Sequence, residues 1–89
     1  MNNMNSTEIQ NHIEAWAQTR DFTAPYGIIA GEFTNRSGRR VRAVTFGRAR
    51  SLDATVEIYN RGFLILRTSC WGSETFNNLE SLMARLETL

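Results

Sequence analysis

From Tyr26 to Cys70 apolar residues recur at every second position, and turn formers interrupt them at short intervals. That pattern fits an antiparallel sheet of hairpin-linked strands better than any helical arrangement. Four strands in sequence order are expected. The first covers Tyr26 to Thr34 and ends in an Asn35-Arg36-Ser37-Gly38 hairpin loop. The second runs from Arg39 to about Ala49, long enough that Gly47 is expected to mark a bulge or bend. The third covers Ala54 to Tyr59, after the turn Ser51-Leu52-Asp53. Asn60-Arg61-Gly62 then closes a three-residue hairpin, because glycine accepts the left-handed position. The fourth, Phe63 to Cys70, is apolar on both sides at its start and should lie inside the sheet.

The period changes on both flanks. Thr7 and Gln10 have the spacing of a capping box, and Ile9, Ile13 and Trp16 follow at helical intervals, which predicts a helix over 8–18 ended before Pro25. Ser73 offers an N-cap for a second helix, whose stripe is Phe76, Leu79, Leu82, Met83 and Leu86, with Glu74 favourably placed in the first turn. The expected fold is therefore α+β: a four-stranded antiparallel meander with an N-terminal and a C-terminal helix on one face and the other face open to solvent. Residues 1–5 are expected to be disordered, leaving 6–89 as one domain.

The chain has 89 residues, ten arginines and no lysine. Six of the arginines lie between Arg36 and Arg50, a stretch without acidic residues that carries +6. The remainder, with four arginines against nine Asp and Glu, carries −5. A near-neutral total thus conceals a positive recognition surface. If Val41, Ala43 and Thr45 face the helices, Arg40 and Arg42 stand about 6.5–7 Å apart on the open face. Val44 and Phe46 would share that face with them, unless Gly47 resets the phase. Arg36 and Arg39 flank the hairpin tip, while Arg48 and Arg50 extend the patch at the other end. Glu32 and Glu57, on neighbouring strands, would neutralise part of it. The expected partner-binding set is Arg36, Arg39, Arg40, Arg42, Phe46, Arg48, Arg50 and Tyr59, with the arginines as anchors and the two aromatic residues as apolar contact.

The residues point away from catalysis. His12 is the single histidine and Cys70 the single cysteine, so neither a zinc cluster nor a disulfide can be assembled from them. Ser69 and Cys70 have no evident base beside them, and the glycines form no phosphate-binding loop. No metal or cofactor is called for. Arg61-Gly62-Phe63 starts like the RNA-recognition strand motif, but Leu64, Ile65 and Thr68 break it. The longest strong apolar run, Phe63 to Leu66, is too short to cross a bilayer, and the start of the chain has no secretory pattern, so a cytoplasmic location is expected.

In size and in organisation over its whole length, though in no motif, the chain resembles the small phage-encoded anti-CRISPR and related anti-defence proteins. The resemblance implies a stoichiometric inhibitor in the host cytoplasm, docking on a nuclease or CRISPR surveillance complex. Many members are acidic mimics of DNA. The positive strand here implies instead an acidic protein surface or a ribonucleoprotein edge as partner. Direct nucleic-acid binding through the same strand is the alternative, and a homodimer through the last helix or an edge strand is compatible with either.

Overall fold

A computed structural model describes residues 5–20, 22, 27–35, 37–48, 52–59, 62–68 and 72–89. Its elements follow the order α1 (Ser6–Gln18), β1 (Ile28–Thr34), β2 (Arg40–Arg48), β3 (Leu52–Ile58), β4 (Leu64–Thr68), β5 (Gly72–Phe76) and α2 (Leu79–Leu86). The strands form one antiparallel sheet in the order β1-β2-β3-β4-β5. The fold is thus α+β with a meander, as the alternation predicts, but the meander has five strands where four were expected.

The extra strand takes residues assigned from sequence to the last helix. Ser73, expected as an N-cap, lies in β5, and so does Phe76. Phe76 satisfies a helical stripe with Leu79 and Met83, yet it also ends a Thr-Phe pair suited to a pleated surface. Asn78 decides the boundary: its backbone is extended, and its side-chain oxygen accepts the Ser81 N–H at 2.7 Å, which starts α2 there. A similar contest sets the start of α1. Asn5 caps it in place of Thr7. The Asn5 side chain accepts the Glu8 N–H at 2.8 Å, and the Glu8 carboxylate accepts the Asn5 N–H at 2.9 Å. Two boxes overlap in the sequence, and the one with asparagine and a carboxylate at the positive helix end prevails.

The helices cover one sheet face. Ile13 of α1 and Leu82 and Leu86 of α2 pack with Val44, Phe46, Ala54, Val56, Ile58, Leu64 and Leu66 in one buried cluster. Phe46 is fully buried, with the Trp16 ring at 5.6 Å edge-on and the Phe22 ring at 4.8 Å. The expected phase of β2 is therefore reversed. Val44 and Phe46 turn toward the helices, and Val41, Ala43 and Thr45 toward the face without helices, where Val41 and Ala43 are nonetheless buried. Both parities of this strand carry apolar residues, and the parity with the larger side chains gains more by burial. The price is that Arg40 and Arg42 share the covered side. They lie near the strand's start, where Arg42 donates to Gln10 of α1 at 2.9 Å and Arg40 reaches solvent. Gly47 introduces no bulge, since the β2–β3 register runs unbroken from Arg42 opposite Ile58 to Arg48 opposite Leu52. The interior position expected for the fourth strand holds, with β4 between β3 and β5.

The two helices also meet at their C-terminal ends. Trp16 donates through its indole N–H to Glu87 at 2.9 Å. Arg20 pairs with the same carboxylate oxygen, while its guanidinium lies 5.1 Å from the centre of the Trp16 ring. On the other flank Glu74 of β5 accepts the Arg85 Nε–H at 3.0 Å, tying α2 to the sheet edge.

Candidate functional site

Chain direction brings the start of β2 beside the end of β3, and each contributes side chains to one cleft. Arg39, Arg40, Val41 and Arg42 line it from one side, Ile58, Tyr59 and Phe63 from the other, with Glu32 of β1 at its margin. Its volume is about 540 Å³. The aromatic wall follows from hairpin geometry. Tyr59 and Phe63 face each other between β3 and β4, with Tyr59 N–H donating to Phe63 C=O at 3.1 Å and Gly62 at φ +93°. Their rings stack at 4.7 Å with 13° between planes. The Tyr59 hydroxyl donates to Glu57 Oε1 at 2.8 Å, which fixes the ring's orientation.

Two guanidinium groups share one carboxylate here. Glu32 is directly opposite Arg42 in the ladder and diagonal to Arg40. It accepts from Arg40 at 3.2 Å and from Arg42 at 3.5 Å. Arg39 forms no ion pair among the described residues; its backbone N–H donates to the Asn35 side chain at 3.0 Å, which holds the hairpin tip. The cleft is therefore net cationic. The side chain of Arg40 is 68% exposed and that of Arg42 27%. Glu57, expected to neutralise the arginine strand, instead pairs with Arg67 of β4 at 3.1 Å on the face without helices, where Glu57 is buried.

Of the residues expected to bind a partner, Arg39, Arg40, Arg42 and Tyr59 converge on this cleft. Phe46 does not, because it completes the aromatic core under α1. Arg48 belongs to the far end of β2, about 20 Å along the strand from Arg42. Arg36 and Arg50 lie outside the described residues, as do the Ser69 and Cys70 of the sequence reading. Sequence reasoning missed Phe63, although a three-residue hairpin loop after Tyr59 places it opposite that ring. A second cleft of about 430 Å³ is lined by Asn35, Ser37, Glu57, Arg67 and Ser73, and its two charges are already paired with each other.

Among the described residues no cluster of three His, Cys, Asp or Glu side chains could hold a metal ion. No described helix is long and apolar enough to cross a membrane. No protein-family model, curated protein or solved structure matches the chain.

Proposed function

We propose that this chain is a non-enzymatic protein-interaction module that grips an acidic partner at the Arg39, Arg40, Arg42, Tyr59 and Phe63 cleft. The observation that carries the reading is one cleft lined by three arginines, of which Arg40 and Arg42 share Glu32, and by the stacked Tyr59–Phe63 pair. Arginine and aromatic side chains dominate binding energy at protein interfaces, the first through forked hydrogen bonds and the second through rigid apolar area. Glu32 pairs with both Arg40 and Arg42 in the free protein. Exposed ion pairs of that kind stabilise by only about 0–1 kcal/mol, so a partner carboxylate displaces Glu32 at little cost and gains Arg39 in addition. A stoichiometric inhibitor of a nuclease or CRISPR surveillance complex is the specific form of such a module that the sequence resemblance implies. Binding without turnover is all it requires of the cleft.

The test is an amide-shift titration with a hexaglutamate-tyrosine peptide, run beside a short DNA duplex at several salt concentrations. The expected result is a shift of the Arg39–Arg42 and Tyr59–Phe63 resonances by the peptide. The triple substitution Arg39→Glu, Arg40→Glu, Arg42→Glu should weaken that binding more than about tenfold. Duplex binding with a log–log salt slope near −5, as six arginines on phosphates would give, together with an inert peptide, would replace this reading by nucleic-acid recognition.

A further inference from the structure

The large apolar side chains most exposed among the described residues, Ile29 at 46% and Phe33 at 37%, both belong to β1. Both point to the uncovered face of the sheet, and β1 is the sheet's edge. Edge strands of soluble proteins are ordinarily guarded by proline, lysine or a bulge. β1 reads Ile-Ile-Ala-Gly-Glu-Phe-Thr, and its register with β2 is unbroken from Ile28 opposite Phe46 to Thr34 opposite Arg40.

The phase of its free hydrogen-bonding groups follows from one bond. Asn35 N–H donates to Arg39 C=O at 2.8 Å, one step beyond Thr34 opposite Arg40 in the same register. Hydrogen-bonded pairs alternate along an antiparallel ladder, so Phe33, Gly31 and Ile29 direct their backbone groups toward β2. Ile28, Ala30, Glu32 and Thr34 direct theirs outward, away from the sheet.

We propose that two copies of this chain associate through their β1 edges, antiparallel, about a two-fold axis at Gly31. Outward-facing residues must exchange the bonds, and in this register they do: Ala30 pairs with Glu32 of the second copy, and Ile28 with Thr34, giving about eight backbone hydrogen bonds. Ile29 then stands directly opposite Phe33 of the second copy, at a non-hydrogen-bonded position where side chains come closest. Symmetry makes this contact twice, so that both exposed apolar residues of each copy are covered. Gly31 meets its own copy on the axis, with no side chain to separate the backbones and with a φ of +151° that disfavours any other residue.

Neighbouring registers are worse. Shifting by one residue opposes backbone groups that already serve β2. Shifting by two in one direction sets Glu32 against Glu32, and in the other it leaves Phe33 without a partner on the second β1. In the favoured register Glu32 faces an alanine, and its charge remains balanced by Arg40 and Arg42. The product is a continuous ten-stranded sheet with an isologous interface.

Sedimentation equilibrium from micromolar to millimolar concentration tests this. The wild-type mass should rise toward twice the monomer value. Ile29→Lys with Phe33→Lys opposes like charges across the axis and should weaken association more than about tenfold. Ile29→Lys with Phe33→Glu opposes unlike charges in this register alone and should restore it. A wild-type chain that stays monomeric overturns the proposal, as does a Lys/Lys variant that still doubles its mass. Hydrogen exchange on the unaltered chain gives an answer even if the variants do not fold: Ala30 and Glu32 amides should slow with concentration, and slowing confined to α2 or β5 refutes the interface. None of these readouts involves the acidic peptide, so the arginine cleft and the β1 edge stand or fall separately.

Discussion

Replacing Phe46 by alanine separates the two roles this residue could have had. As an exposed contact, as the sequence implied, its loss would leave the fold intact. In the structure the ring is fully buried between Trp16 and Phe22. Truncating a buried phenylalanine costs about 3–5 kcal/mol, the sum of lost transfer energy and the cavity left behind. Two aromatic contacts, each about 0.5–1.5 kcal/mol beyond area burial, place the cost in the upper part of that range. A chain of 89 residues has a total stability of about 4–13 kcal/mol. The substitution therefore removes a third of it at least, and the melting temperature should fall by about 15 °C or more. Urea unfolding followed by far-UV circular dichroism measures the loss directly. Phe33→Ala, on the uncovered face, is the internal control and should cost under about 1 kcal/mol in dilute solution. A loss below about 1 kcal/mol for Phe46→Ala, or a larger one for Phe33→Ala, would refute the assignment of β2's faces.

Two further outcomes are expected. The Glu87 carboxyl lies below its usual value near 4.5, first because the Trp16 indole donates to it and second because Arg20 does. A lowered folded pKa stabilises above the unfolded value and loses that contribution as pH falls through the folded one, so Glu87→Gln should lower the melting temperature at neutral pH and converge with wild type in acid. Asn78→Ala removes the side-chain acceptor of the Ser81 N–H and should cost about 0.5–2 kcal/mol by thermal or urea unfolding, because the eight-residue α2 is too short to hold together without its cap and its packing.

What the sequence conveyed well was local. Alternation and turn residues located β1 to β4, since each hairpin is written in a few adjacent positions, although β3 starts at Leu52, inside the turn expected at Ser51-Leu52-Asp53, and the apolar stripe of α2 is plain from Leu79 to Leu86. Its ambiguities lay where the local pattern allowed two answers. β2 carries apolar residues on both parities, so its facing depended on whether Phe46 or Val41 found the helices, a matter of tertiary packing. Phe76 fits a strand and a helix equally, and the cap at Asn78 settled it. In the site, arginine clustering marked Arg39, Arg40 and Arg42. The division of acids between them was hidden, because Glu57 pairs with Arg67, which lies diagonally across the ladder on the strand that follows.

The Trp16–Arg20–Glu87 joint has a mechanical consequence. Every strand of the meander pairs with its neighbour in sequence, whereas this joint links positions 71 and 67 residues apart. Tension applied at the two ends of the domain is borne first by that short cluster of side chains. Once it parts, antiparallel hairpins peel open one rung at a time instead of shearing all together, so this domain should yield at low force and give way progressively from its rims inward.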